Sequence, residues 1–139
     1  MKKNGILNSE ISKILADMGH TDQLIIADCG LPVPDGVKKI DLSISEGIPS
    51  FEELLNLMMN EMKIEKAILA EEIKGKNSNL NKRTVEKLKS SDIEVVYIQH
   101  EEFKKQSQFS KTIIRTGEAT PYANVILQSG VLLVTPNNL

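Results

Sequence analysis

The stretch GHTDQLIIADCGLPVPDG, residues 19–36, sets one short apolar run between two polar, turn-forming ends. Leu24, Ile25, Ile26 and Ala27 follow one another without the alternation of a half-exposed strand. A short apolar run bounded by turn signals reads as a strand buried on both faces, and a sheet covered on both faces belongs to the α/β class. Gly19 is a natural stop for a preceding helix. Pro32, Pro34 and Gly36 forbid helix afterwards and mark a loop. Asp28 comes directly after the buried run, and a carboxylate there needs partners to offset its lost hydration.

The flanking sequence agrees with that class. LNSEISKILADMGH predicts a helix capped by Asn8 or Ser9, with Ile11, Ile14, Leu15 and Met18 at helical spacing. PSFEELLNLMMNEM predicts a second, with Ser50 and Glu53 in a capping-box pattern. Its apolar face of Phe51, Leu54, Leu55, Met58, Met59 and Met62 reads as core rather than as a methionine-rich binding surface. LNKRTVEKLKS and EEFKKQSQ are further helices. KKIDLSI, EKAILAEEI, DIEVVYIQH, KTIIRTG and NVILQSGVLLV are strands. Strands alternating with helices predict a three-layer α/β/α domain with a mostly parallel central sheet. It is Rossmann-like but has no dinucleotide fingerprint, because the glycines match neither G-x-G-x-x-G nor a P-loop. Residues 1–134 form the single domain and 135–139, TPNNL, a polar tail.

Composition excludes several function classes. The 139 residues carry a net charge of −2, with scattered Lys and Arg and 4% aromatics. Nucleic-acid binding wants a basic stripe, often with stacking rings, and neither is present. Cys29 is the single cysteine, so the chain has neither a disulfide framework nor zinc-site spacing. The apolar run after Lys2 and Lys3 is too short for a signal peptide, and no segment approaches the ~18 apolar residues of a membrane span. A cytoplasmic protein, with no membrane partner, is expected.

Ligands of such sheets sit outside the carboxyl ends of the strands. Asp28 ends one strand, His100 ends another, and the loop RTGEATPYAN, residues 115–124, follows a third. Asp28 reads equally as a turn cap or a functional carboxylate. His100 reads as a proton carrier or a cap of the following helix. His20 is either an acid–base group or a histidine favoured by the helix dipole. It precedes its strand, so it reaches a carboxyl-edge site only by way of the preceding helix or from a neighbouring subunit. Cys29 reads as a small buried turn residue rather than a nucleophile. Arg115, Glu118, Thr120, Tyr122 and Asn124 offer donors and acceptors suited to a polyol, whose hydroxyls must all be paired on leaving water; turn chemistry is the alternative.

Taken in order, G-H-T-D, A-D-x-G-L-P-x-P and R-[ST]-G-E-x-x-P-Y-A-N, with GIPSF, AEEIK and HEEFK between them, closely resemble the ribose pyranase and fucose mutarotase family. The resemblance runs from Met1 to about Leu133 and is closest to its D-ribose pyranases. Cys29 departs from the alanine common there, and the tail is longer. The resemblance implies interconversion of the β-pyranose and β-furanose forms of D-ribose by acid–base ring opening and re-closure. It implies His20 as general acid, sugar binding by Asp28, His100, Tyr122, Ala123 and Asn124, and no metal or cofactor. The base is Asp28 or His100. It further implies a ring-like homo-oligomer, a pentamer or decamer. NVILQSGVLLV, more apolar than an edge strand of a monomer should be, fits self-association unless it is a central strand. The competing readings are a non-catalytic sugar-binding or transport-accessory protein and a mutarotase of another sugar such as fucose.

Overall fold

The computed structural model describes residues 1–132 and Pro136. The domain limit at residue 134, the last residues of the predicted final strand and the tail other than Pro136 lie outside the described residues.

The elements run α1 (Ser9–Asp17), β1 (Gln23–Ala27), β2 (Lys38–Asp41), α2 (Phe51–Glu61), β3 (Ile64–Ala70), α3 (Ile73–Lys76), α4 (Ser78–Ser90), β4 (Glu94–Ile98), α5 (His100–Gln106), β5 (Thr112–Arg115) and β6 (Val125–Ser129), with a 3-10 turn at Ser107–Phe109. One six-stranded sheet has the order β2-β5-β1-β6-β3-β4. The β2–β5, β5–β1 and β3–β4 pairs are parallel. β6 lies antiparallel between β1 and β3.

Period-two alternation splits each central strand between two cores. Leu24, Ile26, Ile114, Val125, Leu127, Ala67 and Leu69 meet Ile11 of α1, the Leu54–Met58 face of α2 and Leu80 and Leu88 of α4. Ile25, Ala27, Ile113, Ile126 and Ile68 face the other way, onto Phe103 of α5 and Leu31. β1 is buried on both faces, as its unbroken apolar run requires. Asn8 caps α1 through Ile11 N–H, and Ser50 with Glu53 closes the capping box of α2.

Several boundaries differ from the sequence reading. α1 ends at Asp17, and Met18, not Gly19, closes it through Ile14 O. The strand predicted over EKAILAEEI stops at Ala70, because Glu71 and Glu72 turn into α3. His100 is not a strand end but the first residue of α5. The described part of NVILQSGVLLV is a central strand, so its apolar character needs no subunit contact. Cys29 is exposed rather than buried: its backbone is held by Glu118 O and Arg115, and its side chain is left accessible.

Candidate functional site

β6 makes the site local. Because it runs antiparallel to β1 and β3, its amino end, and the loop feeding it, lie at their carboxyl edge. Residues 122–124 therefore arrive beside Asp28. The loop is tied down first. Thr116 donates its N–H and hydroxyl to Ala27 O, and Cys29 N–H donates to Glu118 O at 2.8 Å. Gly117 lies so close to Ser45 O and the Ile48 backbone that any Cβ there would overlap them.

Asn124 is 1% exposed and grips Asp28 twice. Its Oδ1 accepts Asp28 N–H at 2.8 Å and its Nδ2 donates to Asp28 Oδ2 at 3.1 Å. Asp28 Oδ1 accepts Gly30 N–H at 2.9 Å. The carboxylate is thus oriented by an amide and a turn N–H, with lone pairs left for a ligand. Tyr122 sits at φ +58°, a region costly for a bulky residue and found mainly where surrounding structure holds it. Asn124 N–H donates to its carbonyl at 2.9 Å, and Ala123 between them is buried. The His100 ring meets the Tyr122 ring edge-on at 5.0 Å between centroids. Its Nδ1 is buried without a partner. Glu72 places the ring by accepting His100 N–H at the start of α5.

His20 is elsewhere. It projects from the turn before β1, at the opposite edge of the sheet, with its side chain 52% exposed. The five residues of β1 at roughly 3.3 Å each put it on the order of 20 Å from Asp28. Its turn is pinned: Asp22 Oδ2 accepts Gly19 N–H, Thr21 N–H donates to Ser129 O, and Ser129 N–H donates to Asp22 O. Thr21 is held at φ +72°, strained for a β-branched residue. His20 Nε2 lies 2.8 Å from Glu65 Oε1.

Of the five polar residues singled out in residues 115–124, three serve the loops. Arg115 bonds Cys29 O, Asp41 and Ser43. Glu118 accepts Phe51 N–H at the start of α2 and the Thr120 hydroxyl. Thr120 also accepts from Asn77 Nδ2. Asn124 is engaged with Asp28 through both ends of its amide, and Tyr122 packs its ring on His100. A cleft of about 560 Å³, lined in part by Cys29, Asp41, Ser43 and Arg115, is lined by none of Asp28, His100, Tyr122, Ala123 and Asn124. Another, about 380 Å³, contains His20 with Met18, Glu61 and Gly130. Glu65 and Glu72 were not legible as site residues: each meets a histidine distant in sequence, no motif marks Glu65, and AEEIK, which contains Glu72, gives it no role. Among the described residues no three His, Cys, Asp or Glu side chains gather as a metal site, and no helix is long and apolar enough to cross a membrane.

Residues 1–132 match the model of the RbsD / FucU transport protein family. A D-ribose pyranase of Bacillus cereus is 55% identical over 132 residues, covering 95% of this chain and 99% of its own. One of Bacillus anthracis is 54% identical over the same length and with the same coverage. The structure of Bacillus subtilis RbsD complexed with D-ribose superposes with a TM-score of 0.90 at 56% identity, covering 96% of this chain and 100% of that one. A fucose mutarotase from Streptococcus pneumoniae, solved with L-fucose, gives 0.73 at 25% identity, covering 91% and 95%.

Proposed function

The chain belongs to the RbsD / FucU family, and we propose that it is a D-ribose pyranase, an isomerase that interconverts the β-pyranose and β-furanose forms of D-ribose. The observation that carries this reading is the 56% identity and near-complete superposition with a ribose-bound RbsD, far above the 25% identity to the fucose mutarotase. The polar set at the carboxyl edge suits the chemistry. Asp28, oriented by Asn124, and His100, set against the edge of Tyr122, are partners for sugar hydroxyls. Tyr122 and Asn124 orient the ring.

The reaction is a proton exchange. An acid protonates the ring oxygen while a base takes the anomeric hydroxyl proton. The C1–O ring bond breaks, and the aldehyde rotates. A different hydroxyl then closes on it and the protons return. His20 is the acid, and Asp28 or His100 the base. A polar sugar needs enclosure. One chain holds His20 far from the other residues, so the site is completed by a neighbouring subunit in a ring-like homo-oligomer, a pentamer or decamer in the cytoplasm. Exposed Ile44, Phe109 and Leu132 are apolar surface for such contacts.

NMR exchange spectroscopy on ribose, with and without protein, tests the activity directly: pyranose–furanose exchange should rise with protein concentration, and no rise would refute it. Mixing inactive His20→Ala and Asn124→Ala proteins under subunit exchange tests the shared site. Restored activity is expected; a monomer by sedimentation, or no rescue despite proven exchange, would count against it.

A further inference from the structure

His20 is held by a side chain placed by an irregularity in the sheet. In the β3–β6 ladder Ile64 pairs with Ser129 and Lys66 with Gln128, so Glu65 is the extra residue of a bulge. Bulges re-aim side chains. This one turns Glu65 to His20 on one side and Gln128 on the other. Gly130 allows the approach, because a Cβ there would lie 3.3 Å from Glu65 Cβ.

The Glu65 carboxylate is fixed at both oxygens. Oε1 meets His20 Nε2 at 2.8 Å, and Oε2 accepts from Gln128 Nε2 at 2.7 Å. Gln128 Oε1 in turn accepts from Gln23 Nε2 at 2.9 Å. The amide orientations are forced. Turned over, Gln128 would point its carbonyl at a carboxylate and its NH₂ at another NH₂. The Gln128 hydrogen bond first, and then that of His20, hold the Glu65 carboxyl below its ordinary range. It is therefore ionised at neutral pH, and an ionised carboxylate only accepts.

We propose that Glu65 is the positioning residue of His20, holding Nε2 as an N–H throughout the reaction and leaving Nδ1 as the atom that exchanges protons with the sugar. The inference rests on His20 being the acid. In the imidazolium, the Nδ1–H bond breaks and its proton goes to the ring oxygen as the C1–O bond opens. Neutral His20 then carries a lone pair on Nδ1 and still donates Nε2–H to Glu65. At re-closure Nδ1 takes a proton from the attacking hydroxyl, which returns the imidazolium.

Magic-angle-spinning NMR of protein labelled with ¹⁵N-histidine reads the tautomer whatever the size of the assembly. With two histidines in the chain, a His20→Ala sample assigns the signals. Neutral His20 should show a protonated Nε2 and a bare Nδ1. Glu65→Ala should give mixed tautomers and lower exchange at saturating ribose about 10–100-fold with KM little changed, by analogy with losing a carboxylate that orients a metal-bound histidine. Glu65→Gln still offers a carbonyl to Nε2–H and should keep the tautomer and recover part of the rate. Gln128→Leu, which leaves β3 untouched, should lower the rate by less. A wild-type Nδ1–H tautomer overturns the inference. So does a wild-type rate in Glu65→Ala while His20→Ala is inactive, and that outcome leaves the acid assignment standing. Wild-type exchange in His20→Ala removes the acid assignment and the inference with it.

Discussion

Asn124→Asp separates the structural from the chemical role of the Asp28–Asn124 pair. The substitution keeps the shape and the oxygen that accepts Asp28 N–H at 2.8 Å. It replaces the donor that meets Asp28 Oδ2 at 3.1 Å with a second carboxyl oxygen. Two carboxylates this close, one of them 1% exposed in the parent residue, do not both ionise without a large cost. In the folded variant the pair holds one proton to higher pH; a rise of about two pKa units corresponds to about 3 kcal/mol. The raised folded pKa sets the sign. Below the unfolded value of about 4 the shared proton serves as donor and stability matches wild type; the loss grows from about pH 4 to about pH 6 and is full above that. Urea unfolding across this range reads it. Adding Asp28→Asn restores one amide and one carboxylate in reversed order. The double variant should therefore recover stability at pH 8 but not exchange, since the carboxylate has moved off the position proposed to face the sugar. Equal stability of Asn124→Asp and wild type at pH 8, or no recovery in the double variant, would refute the geometry.

His20→Ala should lower ribose exchange by roughly 10²–10⁴-fold, the usual share of a general acid, while its melting curve stays close to wild type; near-wild-type exchange would remove the role. Cys29→Ala should keep most activity, because the exposed thiol lies outside the Asp28–Asn124 pair; inactivation would indicate thiol chemistry. The Ser43 hydroxyl, then its N–H, with help from Arg115, hold the Asp41 carboxyl down from 3.8 to about 2. Its folded pKa is depressed, so its contribution is present above about pH 4 and lost as pH falls toward 2. Asp41→Asn should accordingly flatten the acid arm of the stability curve there, and an unchanged arm would discount the pairing. Chelators should leave exchange unaltered; a loss restored by a divalent ion would contradict the proton mechanism.

The fold was legible where burial is uniform. Leu24–Ala27 announced a strand covered on both faces, and Ser50 with Glu53 announced the start of α2 by local chemistry alone. What failed was pairing. NVILQSGVLLV carries the same apolar signal in either direction and at either an edge or a central place, so nothing local says that β6 enters antiparallel between β1 and β3. The polar loop misled in a related way. Arg115, Glu118 and Thr120 are the residue types a sugar would need, but the same donors and acceptors close the loops around Cys29, Ser43 and Phe51. Composition cannot divide a polar loop between ligand and scaffold; the amide of Asn124 itself is engaged in holding Asp28.

The direction of β6 also accounts for the separation of His20 from the polar set at the carboxyl edge. An antiparallel neighbour brings its own start to the end of β1, which delivers Tyr122 and Asn124 to Asp28. The same geometry sends its own end to the start of β1, where Ser129 pins the turn that carries His20. One strand thus organises both edges of the sheet: a carboxylate, an amide and an aromatic pair at one, a carboxylate-held imidazole at the other. β1 is buried among its neighbours and does not shorten, so motion within one chain does not close a gap on the order of 20 Å. In the proposed mechanism the residues at the two edges are complementary rather than redundant, one set orienting hydroxyls and the other moving a proton. The proposed function therefore requires two copies set edge to edge to supply both halves to one sugar, and that requirement, rather than the apolar character of β6, is the physical argument for the proposed assembly.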